Sequence, residues 1–166
     1  ADMAVRLQQT TDIHGTPRLV METQTILVAF AFLSVGISLK MALFPLHMWL
    51  PNAYTYAPSA VTAFIASTAT KVAVYLLLRF FFTVFGAEFS FDVMQLDRIL
   101  MPLALLAILT MSLVAIYQED VKRLLAYSSV AQIGYMVLGI SFASALGLTA
   151  GILHLFNHAL MKGALF

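Results

Sequence analysis

Long runs of apolar residues, separated by short polar or charged stretches, fill the chain after residue 22. Such runs predict helices that cross a lipid bilayer, because about 20 apolar residues span its hydrocarbon core. The first 22 residues are richer in charge and include a Pro and a Gly. The pattern therefore predicts an extramembrane loop or surface segment over 1–22 and a transmembrane helical region over 23–166.

The first membrane segment is predicted to be broken. Lys40 is followed by Pro45, which removes a backbone hydrogen bond and clashes with the preceding turn. We therefore expect a helix that breaks near these residues and resumes as a short half, buried in protein or lining a water-filled cavity. The pattern predicts an all-α membrane protein with about five transmembrane segments, expected at 24–54 (broken), 58–85, 99–118, 123–140 and 146–166.

Composition supports this class. The chain is 61% hydrophobic and 10% charged, against roughly half apolar and a quarter charged in soluble domains. The net charge of +1 gives no indication of binding to nucleic acid. The absence of Cys excludes disulfides and cysteine-ligated metal sites. The sequence stops inside an apolar helical pattern, so we expect an internal piece of a longer membrane protein.

Two lysines fall where hydropathy predicts membrane interior. Burying an ammonium there costs roughly 2.5–3.5 kcal/mol on insertion scales, so an intramembrane lysine is a functional-site hypothesis. Lys71 lies near the middle of its segment, too deep for its stem to reach an interface easily, whereas Arg79 is placed to do so. The depth of Lys40 depends on where the first helix breaks. Both lysines are predicted to be functional.

The last segment carries His154, His158 and Lys162 at i, i+4 and i+8, on one face of a helix. Desolvation lowers the pKa of a lysine toward neutrality, and histidine starts near pKa 6.5, so such a stripe is suited to passing protons. A second stripe on the preceding segment holds Ser128, Gln132 and Tyr135. For it we favour the simpler interpretation, interhelical hydrogen bonding.

Other functions fit these residues less well. The two histidines lack the glutamate of an H-E-x-x-H zinc hydrolase, and two histidines on one helix do not ordinarily hold a haem from both sides. A haem-binding electron-transfer protein and a purely structural membrane subunit remain as alternatives. Phosphate-binding loops, nucleophile elbows and paired carboxylates are absent from the sequence, so hydrolase and kinase functions have no support.

Four stretches resemble one known family in its order of motifs. The first is Lys40-Met-Ala-Leu-Phe-Pro-Leu-His-Met-Trp-Leu-Pro-Asn-Ala-Tyr-Thr-Tyr-Ala-Pro-Ser, and the others occupy 71–79, 119–135 and 154–162. Together they resemble the antiporter-like proton-translocating subunits shared by Mrp-type cation/proton antiporters and respiratory complex I. The resemblance covers about residues 24–166.

This resemblance implies that the chain is a fragment of a larger fold of about fourteen helices, with inverted repeats and broken helices. Lys40 is similar to the family's lysine on the broken helix, and Lys71 to the lysine of the following helix. His154, His158 and Lys162 resemble the titratable stripe of the second half-channel. The family's membrane glutamate is expected upstream of residue 1. The resemblance implies transport without covalent catalysis, cofactor or metal.

The chain departs from the common family pattern Trp-Leu-Pro-Asp-Ala-His at Asn52 and Tyr54, and Tyr56 stands where an acidic residue is often found. These departures favour similarity to the D-type protein of Mrp antiporters, with a complex I (NADH:quinone oxidoreductase) subunit as the alternative. The expected partners are other membrane subunits, the bilayer, protons, and sodium or potassium, without nucleic acid. The expected location is the bacterial inner membrane.

Overall fold

The computed structural model describes Met3, the backbone of two short strands, and residues 23–166. Strands β1 (Thr10–Ile13) and β2 (Thr16–Leu19) pair antiparallel, with Thr10 opposite Leu19. The sequence pattern did not predict this hairpin. Most other residues of the predicted surface segment 1–22 lie outside the described part of the chain.

Six α-helices make up most of residues 23–166. They are α1 (Gln24–Met41), α2 (Trp49–Tyr56), α3 (Ser59–Leu78), α4 (Leu96–Ile116), α5 (Val121–Ser141) and α6 (Ala145–Leu165). Helices α1, α4, α5 and the extended α3 are long and apolar enough to cross a membrane. Helix α6 has the same 21-residue length as α4 and α5 but carries His154, Asn157, His158 and Lys162. Apart from the short hairpin of β1 and β2, the predicted all-α membrane fold is confirmed.

The predicted break in the first segment is present. Helix α1 ends at Met41, and Ala42 takes a left-handed conformation with φ 61°. Its amide donates to the Leu39 carbonyl at 3.1 Å, and the next amide reaches Ser38 at 3.0 Å. These bonds satisfy the last carbonyls of α1 and turn the chain away from the helix axis. The Phe44–Pro45 peptide bond is cis, and α2 begins four residues after the proline.

Helix α3 passes directly into a π-helical segment, Arg79–Val84, and Gly86 follows two residues later with φ 85°. Glycine adopts this conformation without the steric cost that a side chain would add. A second π-helical segment, Glu88–Val93, leads into α4. Helix α4 begins at Leu96, three residues before the predicted start, because Asp97 in the first turn is favourable at a helix N-terminus.

Helix α5 is the centre of the described bundle. It packs against α4, α6 and α2, while α3 packs against α6 and α1. The Asp120 carboxylate caps α5 by accepting from the amides of Lys122 at 2.8 Å and Arg123 at 3.4 Å. At the other end, Gly139 on α5 meets Gly147 on α6, where a Cβ on Gly139 would lie 2.7 Å from the Gly147 carbonyl oxygen. The two helices therefore touch backbone to backbone.

Candidate functional site

Lys71 is buried on α3, in the face that packs against α6. Only 6% of the residue is exposed, and its Nζ donates to the Ala66 carbonyl of the same helix. The small residues Ala66 and Ala73 on this face are fully buried, so α3 approaches its neighbours closely around the lysine. The sequence prediction that Lys71 lies in the interior is consistent with this position.

The three residues of the α6 stripe lie along one line, as their spacing predicted. The rings of His154 and His158 are 6.3 Å apart and nearly parallel, at 9°. His158 is completely buried, and neither of its ring nitrogens has a hydrogen-bond partner among the described residues. His154 is half-buried and lies 5.8 Å from the Tyr135 ring on α5. The stripe thus runs from a partly open end into the protein.

Lys162 is held by α5. Its Nζ donates to the Leu125 carbonyl at 2.8 Å and to the Ser128 hydroxyl at 2.5 Å. Ser128 in turn donates to the same Leu125 carbonyl at 2.9 Å. Ser128 therefore does more than join two helices, because it is a direct partner of a titratable group. The sequence could not assign this pair, since 34 residues separate the partners.

Lys71, His158 and Lys162 form what we call the basic cluster. Electrostatic interactions connect His158 to both lysines and to His154, and connect the two lysines to each other. The sequence contains no Asp or Glu between residues 41 and 87 or after residue 120. The partners of the cluster are therefore carbonyl and hydroxyl oxygens, which solvate an added proton without holding it as tightly as a carboxylate would.

Lys40 does not join the basic cluster. It is exposed near the end of α1, on a shallow apolar groove that includes Phe32, Leu33 and Gly36. Because α1 packs against α3 with another face, the structure keeps Lys40 apart from the buried lysines. The predicted set of five residues therefore divides into the buried cluster with His154 at its edge, and one lysine on an outer face.

Two buried titratable side chains were not selected from the sequence. His47 lies within the break, 4% exposed, stacked on Phe44 at 5.5 Å, and its Nδ1 has no partner among the described residues. Tyr54 on α2 is 1% exposed, with the edge of its ring against Phe166 at 5.4 Å. The sequence signal was present for both, because each is a polar residue inside the first family motif.

The charged first turn of α5 holds α2 in place. Lys122 donates from Nζ to the Ala57 carbonyl at the end of α2 at 3.0 Å, and Arg123 donates to the Asn52 side-chain oxygen at 3.1 Å. The second half of the broken segment is thus fixed to the helix that also holds Lys162. Among the described residues, no three His, Asp or Glu side chains come together to hold a metal ion.

Comparison with known proteins agrees with this architecture. The sequence profile of the family described as NADH:quinone oxidoreductase/Mrp antiporter, transmembrane, matches residues 4–166. NADH-quinone oxidoreductase subunit N of Desulforudis audaxviator is 45% identical over 147 residues, which cover 89% of this chain and 29% of that protein.

Two solved structures are similar. A chain of the Mrp complex from a Dietzia species superposes with a TM-score of 0.78 at 31% identity, covering 86% of this chain and 26% of that one. A chain of an archaeal membrane-bound sulfane sulfur reductase superposes with a TM-score of 0.70 at 31% identity, covering 90% of this chain and 32% of that one. This chain therefore spans about a third or less of each relative. Its near-complete match to the family profile makes it a multi-pass membrane member of the NADH:quinone oxidoreductase/Mrp antiporter transmembrane family.

Proposed function

We propose that this chain is the proton-translocating part of a membrane subunit in a multi-subunit monovalent cation/proton antiporter of the Mrp type. Protons move through Lys71, His158 and Lys162, with His154 at one end of the route and Lys40 on the side facing the rest of the subunit. Other membrane subunits complete the complex, and the bacterial inner membrane is its location. The exchanged cation is sodium or potassium.

One observation carries the proposal, the burial of two lysines and a histidine side by side without a carboxylate among the residues that the structure describes. A structural role would be filled at lower cost by apolar residues, because a buried ammonium is expensive in a membrane. Adjacent ammonium groups also repel each other in a medium of low dielectric constant. A proton arriving at one lysine therefore favours release from the other, which is the behaviour that a relay needs.

The arrangement of partners gives the route two distinct ends. Lys162 has two oxygen acceptors on α5, while Lys71 has the Ala66 carbonyl. His158 interacts electrostatically with both lysines, and neither of its ring nitrogens has a hydrogen-bond partner among the described residues. A neutral imidazole can accept a proton at one nitrogen and release one from the other, so it suits transfer between two amines.

A subunit of NADH:quinone oxidoreductase is the second candidate, supported by the name of the 45% identical relative. The Mrp assignment is supported by the uncharged Asn52 and Tyr54 in the first motif and by the similarity to the Mrp complex structure. The two candidates share the basic cluster and differ in what drives it, namely a cation gradient or electron transfer in other subunits.

The test is proton flux in everted membrane vesicles that contain the full-length protein with its partner subunits. Sodium, potassium and NADH are supplied separately. Flux triggered by a cation and lost in Lys71→Ala and Lys40→Ala supports the antiporter. Flux seen only with NADH assigns the chain to the oxidoreductase. Unchanged flux in Lys71→Ala removes this lysine from the route.

Arg79→Ala is the matched control for Lys71→Ala. Arg79 is a basic residue that follows directly on α3 but is exposed, so its removal should leave flux unchanged. The haem-protein alternative predicts a Soret absorbance band in the purified complex that segregates with this subunit. A band that disappears in His158→Ala would favour that alternative over proton translocation.

A further inference from the structure

Thr70 is a buried helical residue whose hydroxyl has no hydrogen-bond partner among the described residues. Helical Ser and Thr side chains commonly donate to the carbonyl four residues earlier, and here Ser67, Thr68 and Thr149 do so at 2.6 to 2.8 Å. The corresponding carbonyl for Thr70 belongs to Ala66, and it accepts instead from Lys71 Nζ. The Thr70 hydroxyl, which directly precedes this buried lysine in the chain, makes no bond to its usual partner.

The Thr70 hydroxyl faces the hydroxyl of Tyr54 on α2. Both residues are 1% exposed, and neither hydroxyl completes a hydrogen bond of ordinary geometry with a described residue. Buried hydroxyls are almost always satisfied, so this facing pair needs an explanation. Tyr54 belongs to the same buried apolar cluster as Leu50, Ala66 and Val130.

Tyr54 is held firmly enough to act at a fixed place. Its backbone carbonyl accepts from the Thr62 hydroxyl at 3.1 Å, and its ring packs edge-on against Phe166. The end of α2 is fastened by Lys122 through the Ala57 carbonyl. The tyrosine hydroxyl therefore projects from the second half of the broken segment toward α3 at the level of Lys71.

We propose that the Tyr54 and Thr70 hydroxyls form a proton-relay pair that connects the broken segment to Lys71. A proton that arrives at the Tyr54 oxygen releases the original Tyr54 proton to the Thr70 oxygen. Thr70 then passes its own proton to the unprotonated Lys71 amine, and each hydroxyl again carries one proton. This relay rests on the proposed function, since it supplies the basic cluster with its protons.

The test uses the vesicle assay on the full-length protein in its complex. Tyr54→Phe keeps the ring against Phe166 and removes only the hydroxyl, and Thr70→Val keeps the shape of the side chain. Each is expected to lower the initial rate of proton flux about tenfold or more, as loss of a positioned proton-transfer group does. Tyr75→Phe and Thr68→Val, on outer positions of α3, are the matched controls and should retain the full rate.

Two further variants separate a relay from a packing effect. Tyr54→His restores a group that can carry a proton and should recover most of the rate lost in Tyr54→Phe. In the double variant Tyr54→Phe/Thr70→Val, the rate should fall no further than in the single variants, because one relay can be broken only once. A multiplied loss, or no recovery with histidine, would overturn the relay.

The outcomes also distinguish this relay from the function on which it rests. If Lys71→Ala abolishes flux while Tyr54→Phe and Thr70→Val keep the normal rate, only the relay is wrong. If Lys71→Ala itself leaves flux unchanged, the proposed proton route fails and the relay fails with it.

Discussion

The Lys162 ammonium lies 2.5 Å from the Ser128 hydroxyl, across the interface between α6 and α5. The same ammonium donates to the Leu125 carbonyl, to which Ser128 also donates. The serine thus solvates the lysine and orients its second acceptor. This contact explains why two polar stripes occur on neighbouring helices, since one supplies the titratable groups and the other supplies oxygens.

Replacing Ser128 with Ala should weaken this arrangement. We expect a loss of about 1 kcal/mol in the free energy of unfolding, between the values for hydrogen bonds within membranes and those to charged groups. Proton flux should fall as well. Thermal unfolding in detergent and the vesicle assay measure the two effects. Ser129→Ala is the control, because Ser129 donates to Leu125 but does not contact Lys162; equal flux in both variants would contradict a role for Ser128.

His158→Ala should impair proton flux while the protein still inserts into the membrane. The imidazole is completely buried and interacts electrostatically with both lysines, so its loss should interrupt the route. Asn157→Ala changes the neighbouring, exposed position and should have little effect. The amount of protein in the membrane fraction is measured beside the flux. Loss of insertion in His158→Ala would instead indicate that the histidine serves packing.

Replacing Asn52 with Asp should strengthen the attachment of α2. Arg123 already donates to the Asn52 side-chain oxygen at 3.1 Å, and a carboxylate would convert this bond into an ion pair. Because Asn52 is exposed, we expect a gain of up to about 1 kcal/mol in stability. The same substitution in an Arg123→Ala background should give no gain. A gain that persists without Arg123 would show that another cation or the helix terminus is responsible.

Gly139→Ala should separate α5 from α6. The added Cβ would lie 2.7 Å from the Gly147 carbonyl oxygen and 3.3 Å from the Gly151 backbone. Because backbone atoms cannot move aside cheaply, we expect a loss of about 1–3 kcal/mol, typical of overpacking. Gly36→Ala is the control, since nothing lies within 4 Å of its added Cβ and alanine favours the helix. A thermal midpoint for Gly139→Ala equal to that of the unmodified protein would contradict this contact.

Sequence reasoning was sufficient for the features that depend on local pattern. Pro45 predicted the break, and the spacing of His154, His158 and Lys162 predicted a common helical face, because both follow from backbone geometry. The same reasoning predicted both Lys40 and Lys71 to be functional and left the depth of Lys40 dependent on where the first helix breaks. In the structure, Lys71 faces the interior and Lys40 an outer groove. Which face of an apolar helix is covered depends on its neighbours, and a uniformly apolar sequence carries little information about them.

The pairings across the bundle were beyond the sequence. Ser128 and Gln132 were interpreted as helix contacts, although Ser128 also binds Lys162. Tyr54 was noted only as a departure from the family motif, yet it faces Thr70 across the interface between α2 and α3. The hairpin of β1 and β2 was missed because its strands are short and lack a clear alternation of apolar and polar residues.

The contact of Gly139 with Gly147 also has a mechanical consequence. Because their backbones touch, we expect α5 and α6 to move as one unit. The distances from Lys162 Nζ to its oxygen acceptors on α5 should then stay constant. Lys71 lies on α3, which packs against α6. We therefore expect a displacement of α3 relative to this pair of helices to change the distance between Lys71 and Lys162, and with it the rate of proton transfer.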